Sequence, residues 1–273
     1  MSLDIINQRG LVLLGCGKMG SAMLEGWLAR GVAPSSVSII DPYPSARLES
    51  LAEQGLQLNA ALPDNPAICI LAVKPQMMQD ALPQISDIAR GGTIFLSIAA
   101  GTSIGYFESV LGRKAAIVRA MPNTPAAVGR GITAIVGNGA AGADALDLAD
   151  ELLQAVGQTV RLQGEDQMDA VTAVSGSGPA YVFHMIEALA AAGVAEGLPA
   201  DLAMQLAKAT VGGAGALAEE ATEMPDALRV NVTSKGGTTA AALDVLMNDA
   251  TGLAPLMRRA VKAAADRSRE LGE

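Results

Sequence analysis

Aromatic residues make up only 3% of the 273-residue chain: one Trp, three Tyr and three Phe. The core cannot be filled with rings, so its density must come from aliphatic side chains and from close packing of Ala and Gly. Histidine is scarcer still. His184 stands alone, which argues against a histidine-based acid–base constellation and against a multi-histidine metal site; we expect no metal. The two cysteines, Cys16 and Cys69, fit neither a zinc spacing nor a disulfide framework. They read as small buried residues in a reducing compartment. Lys and Arg are outnumbered 19 to 28 by Asp and Glu, for a net charge of −9, so the clustered cations of a nucleic-acid surface are missing. No run is expected to reach the roughly 20 apolar residues of a membrane span. The first ten residues include Asp4 and lack the apolar segment of a secretory signal. The expectation is a soluble, cytoplasmic protein.

What is present centres on Leu11-Val12-Leu13-Leu14-Gly15-Cys16-Gly17-Lys18-Met19-Gly20. An apolar run enters G-x-G-x-x-G and a helix-like pattern leaves it, which is the context a dinucleotide fingerprint requires. Gly15 permits the tight turn, Gly17 a close backbone approach to a pyrophosphate, and Gly20 close packing of helix on strand. The helix start then offers free N–H groups to the phosphates, whatever the global charge. Asp41 ends the next apolar run, Val37-Ser38-Ile39-Ile40, about 20 residues past the glycines, where a ribose hydroxyl partner is expected. A carboxylate there repels a 2′-phosphate and favours NADH, whereas Arg47, six residues on, could swing to a phosphate. Asn59 is either a further ribose contact or loop filler.

Up to about residue 162, short continuous apolar runs alternate with helical ones. Strands are expected at 11–14, 37–40, 68–73, 93–97, 116–119, 132–136 and 159–162, and helices near 18–30, 45–54, 76–89, 103–111 and 143–156. Continuous apolar character means strands covered on both faces, hence a Rossmann-type α/β domain with a mostly parallel sheet. Ligands then collect beyond the carboxyl ends of the strands. Those ends lead into Lys74-Pro75 after Ala72-Val73, into Ala100-Gly101-Thr102 after Ala99, and into Met121-Pro122-Asn123-Thr124-Pro125. Such loops suit the walls of a nicotinamide site; each alone also fits ordinary turn chemistry.

Beyond residue 164 only Ala-rich helical stretches follow, at 166–173, 179–196, 200–220, 226–232, 239–248 and 255–271. The expected division is a dinucleotide-binding domain at 1–163 and an all-helical substrate and dimerisation domain at 164–273. The stretch 181–195 is apolar nearly all round, and such a helix must be buried. One protomer of about 110 helical residues can hardly cover several of these, so at least a dimer is expected. His184 reads as a core or interface residue, and Met77, Met78, Met185 and Met204 as packing.

Two glycine-rich segments open helices in this half: Ser175-Gly176-Ser177-Gly178-Pro179-Ala180-Tyr181 and Val232-Thr233-Ser234-Lys235-Gly236-Gly237-Thr238-Thr239. Both offer hydroxyls and unpaired N–H groups, which a small carboxylate needs. Ser or Thr capping explains part of the pattern, but two adjacent glycines exceed what capping requires.

The run from Asn231 to Leu243 resembles the signature of pyrroline-5-carboxylate reductases. The 175–181 run, Ala72-Val73-Lys74-Pro75, Asn123-Thr124-Pro125 and the N-terminal glycines stand in that family's order, so the resemblance covers essentially the whole chain. One departure is Lys235, where the family usually shows proline. The resemblance implies reduction of the cyclic imine Δ1-pyrroline-5-carboxylate to L-proline, the last step of proline biosynthesis, with hydride from NADPH or NADH; many relatives prefer NADPH but place small polar residues near the position of Asp41. It implies Thr239 as the hydroxyl that hydrogen-bonds or relays a proton to the imine nitrogen. Ser234, Gly236, Gly237, Thr238 and Thr239 would hold the carboxylate, with Asn231 near cofactor and substrate and Glu165 facing the substrate nitrogen. Gly15, Cys16, Gly17, Lys18, Met19, Gly20, Asp41, Asn59, Ala72, Val73, Lys74, Pro75, Ala99 and Asn231 would contact the cofactor. Relatives form dimers that assemble into decamers. A β-hydroxyacid dehydrogenase shares the glycine opening, but Lys208 lacks that family's paired asparagines. A silent NAD(P)-binding redox sensor would need the fingerprint without the 236–239 loop.

Overall fold

The computed structural model describes residues 2–272. By contacts the chain divides into two units: the chain up to Gly176 together with residues from Ala265 on, and Ser177–Ala264.

The first unit contains α1 (Ser2–Arg9), β1 (Leu11–Leu14), α2 (Lys18–Ala29), β2 (Val37–Ile40), α3 (Ala46–Ala52), β3 (Gln57–Leu58), β4 (Ile68–Leu71), α4 (Met78–Ala81), β5 (Ile94–Ser97), α5 (Ile104–Leu111), β6 (Ala116–Met121), β7 (Gly131–Gly137), α6 (Ala143–Leu153), β8 (Gly157–Arg161) and α7 (Met168–Val171). Among the described residues, eight strands form one sheet in the order β3-β2-β1-β4-β5-β6-β7-β8. All pairings are parallel except β6 with β7. The reason is length. The connection from Pro122 to Arg130 is shorter than the dozen or more residues of a parallel crossover, so the chain doubles back.

The four residues of β1 are all buried, as expected for a strand with both faces covered. Leu11 and Leu13 join Met23, Trp27 and Leu152 on one face, whereas Val12 and Leu14 join Ile85, Phe95 and Phe107 on the other. The two-residue period of the strand thus feeds two separate apolar layers. Trp27 is completely enclosed and donates its indole N–H to the Leu152 carbonyl at 2.9 Å. The largest ring in the chain is therefore buried without an orphaned donor.

Several expected elements differ in detail. The helix expected at 76–89 is broken into a 3-10 turn (Pro75–Met77), α4, and two further 3-10 turns (Leu82–Ile85 and Asp87–Arg90). Pro83 lacks an N–H and its ring opposes a continuous α-helix. The apolar spacing of Met78, Ala81, Leu82, Ile85 and Ile88 still faces the core, which is why the stretch reads as helical. The helix expected at 166–173 is a 3-10 turn (Glu165–Gln167), α7 and a π turn (Thr172–Gly176). The short elements α1 and β3 were not anticipated.

The second unit holds α8 (Gly178–Ala195), α9 (Ala200–Glu220), α10 (Pro225–Asn231), α11 (Thr238–Leu246) and the start of α12 (Leu253–Gly272). Helices α8 and α9 pack against each other. A Cβ on Gly193 would sit 3.3 Å from Leu198 and 3.4 Å from Ala203, so this contact relies on a missing side chain. The buried apolar residues of the unit are the alanines Ala190, Ala203 and Ala207.

Within one chain α8 is left uncovered, as the expectation of at least a dimer requires. Val182, Phe183, Met185 and Leu189 of α8 are 41–59% exposed, and His184 is exposed beside Glu187 at 3.2 Å. The covering surface is absent from the chain itself. The expectation that no run is apolar enough to span a membrane is corrected. Within Glu165–Ala195 an 18-residue window reaches a mean hydropathy of 1.2, because its alanines raise hydropathy without adding bulk.

Candidate active site

Apart from Asn231, which lies in the second unit, the expected cofactor residues come together in the first unit at the carboxyl ends of β3, β2, β1, β4 and β5. Leu14 is in register with both Ile40 and Leu71, and Leu71 with Ser97. The segments that follow, including Gly15, Asp41, Ala72, Val73 and Ala99, are therefore neighbours. Gly15 has φ +86, and its N–H donates to the Ile40 carbonyl at 2.8 Å. A Cβ there would meet Val73 Cγ1 at 2.8 Å and the Ala72 oxygen at 3.1 Å. At Gly20 a Cβ would lie 2.9 Å from the Gly15 oxygen, so α2 can approach the turn only as glycine.

Gly17 differs: a Cβ there meets nothing within 4 Å. Its small size is not required by the fold and leaves an open face directly before α2. Among the described residues no side chain caps this helix, so its first-turn N–H groups stay available, with Lys18 exposed beside them. An open face and uncapped amides make a cradle that a pyrophosphate fills. The residues present fit a dinucleotide.

Two cavities share Ile40 and Gln84 in their linings. One, of about 230 Å³, is lined by Leu14, Ile40, Pro42, Val73, Met77 and Gln84. The other, of about 550 Å³, includes Ile40, Asn59, Leu62 and Gln84. Asp41 follows Ile40, which lines both. Asp41 Oδ2 accepts the Cys16 N–H at 2.7 Å and Oδ1 accepts the Tyr43 N–H at 2.8 Å. Asn59 clasps the Asp41 backbone, accepting its N–H at 2.9 Å and donating to its carbonyl at 2.8 Å. Asn59 is thus a structural brace, a role its sequence position did not disclose. Arg47 is engaged elsewhere. Its guanidinium makes a two-point pair with Glu25 on α2, at 2.7 and 3.0 Å.

Burial pushes the Cys16 thiol up from its ordinary value; its contact with Ser21 opposes this, and the charges of Asp41 and Glu25 add to it. Burial alone pushes the Cys69 thiol up strongly. Both cysteines are buried free thiols, as their spacing suggested.

On the far side of the sheet centre, Glu165 meets a partner that sequence reasoning missed. Its Oε1 accepts from Arg119 Nη1 at 2.6 Å and from the Ile104 N–H at 2.8 Å. Glu165 therefore neutralises a buried arginine in β6 and caps the start of α5. The one signal was a lone Arg inside the apolar run Ala116-Ile117-Val118-Arg119-Ala120-Met121. The Met121–Pro125 loop also meets Ser175 in this unit. Asn123 Nδ2 donates to Ser175 Oγ at 3.3 Å, while its Oδ1 accepts the Ile132 N–H at 3.0 Å. Ser175 lies in the π turn, a distortion that often marks function.

Apart from Glu165, which lies in the first unit, the expected substrate residues fall in one segment of the second unit, from Asn231 at the end of α10 to Thr238 and Thr239 at the start of α11. The Gly237 N–H donates to the Ser234 carbonyl at 3.1 Å, and Gly236 has φ +70. A turn with a positive-φ glycine at its third position is of type II, which favours proline at the second; Lys235 occupies that place. A Cβ on Gly237 would collide with the Ser234 hydroxyl, so the second glycine lets that oxygen lie against the helix start. No side chain among the described residues caps α11. Hydroxyls and open amides therefore converge within a few residues.

The parallel sheet, the glycine turn and the acid-terminated second strand define a nicotinamide-dependent oxidoreductase. Residues 10–101 match the family described as NADP oxidoreductase, coenzyme F420-dependent, and residues 165–271 match pyrroline-5-carboxylate reductase dimerisation. Pyrroline-5-carboxylate reductase from Synechocystis sp. is 40% identical, with 96% of this chain and 98% of the relative covered. That from Pseudomonas aeruginosa is 35% identical, covering 96% and 97%. The chain belongs to the pyrroline-5-carboxylate reductase family. A solved reductase from Coxiella burnetii superposes with a TM-score of 0.89 at 32% identity, covering 97% and 99% of the two chains. One from Plasmodium falciparum, described with NADP bound, gives 0.80 at 28%, covering 98% and 99%.

Proposed function

We propose that the chain reduces Δ1-pyrroline-5-carboxylate to L-proline with NAD(P)H, the closing step of proline biosynthesis. The observation that carries this reading is the pairing, in one chain, of an open glycine turn at Gly17 with an uncapped, hydroxyl-rich helix start at residues 234–239. The first suits a dinucleotide and the second a small carboxylate. In this reading residues 1–163 bind the cofactor and residues 164–273 bind substrate and dimerise.

The nicotinamide supplies a hydride when bound. Gly15, Cys16, Gly17, Lys18, Met19 and Gly20 hold the pyrophosphate, and Asp41, braced by Asn59, takes the ribose hydroxyls. Ala72, Val73, Lys74, Pro75, Ala99 and Asn231 line the remainder. The amides from Gly236 to Thr239, with Ser234, hold the substrate carboxylate and fix the ring, so positioning supplies much of the rate. An imine carbon accepts hydride readily once its nitrogen is protonated or strongly hydrogen-bonded. Thr239 donates that hydrogen bond and relays the proton; a threonine hydroxyl is too weak an acid to be its source at neutral pH. Glu165 acts on the substrate nitrogen only through the position of its carboxylate, whose Oε1 already accepts from Arg119.

The exposed apolar faces of α8 and α9 support a homodimer, with further assembly into a decamer. Association through these faces, rather than lipid, accounts for the apolar stretch 165–195, and we place the enzyme in the cytoplasm. The test is the absorbance of NADPH and NADH with and without pyrroline-5-carboxylate. Imine-dependent oxidation is expected, and cofactor binding without it would leave the sensor reading in its place. Thr239→Ala should lower kcat and leave cofactor affinity nearly intact, with Thr239→Ser recovering most of the loss. Normal turnover by the alanine variant removes Thr239 from the mechanism.

A further inference from the structure

The Asp41 corner is fixed by more contacts than a ribose ligand needs. Both carboxylate oxygens accept backbone N–H groups, from Cys16 and Tyr43, and the Asp41 backbone is clasped on both its polar groups by Asn59. Asn59 achieves this in the left-handed region, at φ +51, as the only described non-glycine residue with positive φ. Asparagine is among the few side chains that tolerate that conformation. Asp41 therefore cannot turn away to admit a second anion without breaking several hydrogen bonds.

A 2′-phosphate at this corner would need a cation to offset that carboxylate. Within residues 41–50 the one basic residue is Arg47, the second residue of α3. Its guanidinium is occupied by Glu25, Nε on one carboxylate oxygen and Nη2 on the other. Two-point pairing is the geometry in which an exposed Arg–carboxylate pair is strongest. With Arg47 cancelled by Glu25, the corner keeps the net negative charge of Asp41.

We propose that Glu25 is a specificity-determining residue for the cofactor: by holding Arg47 it withholds the corner's cation and makes the chain selective for NADH over NADPH. The proposal rests on reading the glycine turn as the dinucleotide site. Two further observations support it. The Arg47 hydrogen bond holds the Glu25 carboxyl below the usual carboxylate range, against the opposing effect of burial, so the pair stays ionised at neutral pH. The charges of both Asp41 and Glu25 act on the Cys16 thiol, which places the two carboxylates around the same turn.

The experiment is calorimetric titration of the intact protein with NAD+ and with NADP+, which differ only in the 2′-phosphate, alongside kcat/KM for NADH and NADPH. The parent should bind NAD+ about tenfold or more tightly than NADP+, because like charges meet at the corner. Glu25→Gln should improve NADP+ affinity about threefold to fivefold, the scale of a well-formed exposed ion pair, and move NAD+ affinity much less. Glu25→Gln combined with Arg47→Ala should lose that gain, since the freed cation is gone. The proposal is overturned if the parent prefers NADP+, if Glu25→Gln leaves the ratio unchanged, or if the double variant keeps the gain. Should neither nucleotide bind any variant, the glycine-turn reading falls with it. Should NAD+ bind normally while the ratio stays fixed, only the role of Glu25 falls.

Discussion

Two glycines three residues apart in the turn should respond to the same substitution in opposite ways. Gly17 has φ −70, which alanine adopts freely, and its Cβ would meet nothing within 4 Å. Gly17→Ala should therefore leave stability unchanged or raise it by about 0.4–1 kcal/mol through the unfolded chain. The added methyl projects into the open face before α2, where a pyrophosphate must touch the backbone. Losing one charge-assisted hydrogen bond there is worth about 1.5–3 kcal/mol, or about ten- to hundredfold in cofactor affinity. At Gly20 the Cβ would press to 2.9 Å from the Gly15 carbonyl. Backbone cannot step aside as a flexible side chain can, so Gly20→Ala should destabilise by about 1–3 kcal/mol. The assay pairs thermal unfolding without cofactor with cofactor titration by fluorescence. If Gly17→Ala binds cofactor within threefold of the parent, or if it unfolds several degrees lower, the assignment of the open face to the pyrophosphate is wrong.

Other expectations follow from single contacts. Glu165→Ala strands the side chain of Arg119, which is 9% exposed. Breaking a buried pair costs about 3–5 kcal/mol and an exposed one far less; with Glu165 partly solvated, about 2 kcal/mol is expected in denaturant melts, and Arg119→Met in the same background should recover part of it. Lys235→Pro, at the second position of the type II turn, should add about 0.4–1 kcal/mol of stability with kcat preserved; a loss of activity would show that the turn must flex. Phe183→Glu on the exposed face of α8 should shift the protein toward monomers in sedimentation runs, while a change without effect would move the interface elsewhere. Because Cys16 and Cys69 both titrate above their ordinary values, they stay protonated near neutrality. Native protein should then react with thiol reagents far more slowly than urea-unfolded protein, and bound cofactor should slow Cys16 further.

The sheet was legible because its strands are short, continuous and apolar. Residues 11–14 and 37–40 coincide with β1 and β2, and the acid directly after β2 meets the glycine turn through the Cys16 N–H. Elements shorter than a sequence period were invisible: β3 is only Gln57–Leu58. Pro83 divided a stretch whose apolar spacing still read as helix. The candidate site was readable where glycine carried it, since Gly15, Gly17 and Gly20 sit where their spacing placed them. It was unreadable where pairing crosses the chain. Nothing near Glu165 announces Arg119, 46 positions away, and nothing near Arg47 announces Glu25. Helix α8 shows the limit from the other side: its sequence demanded burial, but the covering partner lies outside a single chain.

That uncovered helix pair bears on how the molecule reaches its working form. With only three alanines buried among its apolar residues, the segment Ser177–Ala264 gains its interior from collision between molecules. Recovery from denaturant should therefore have a late phase whose rate climbs with protein concentration, and dilution alone should inactivate the enzyme at temperatures where the nucleotide-binding sheet is still intact.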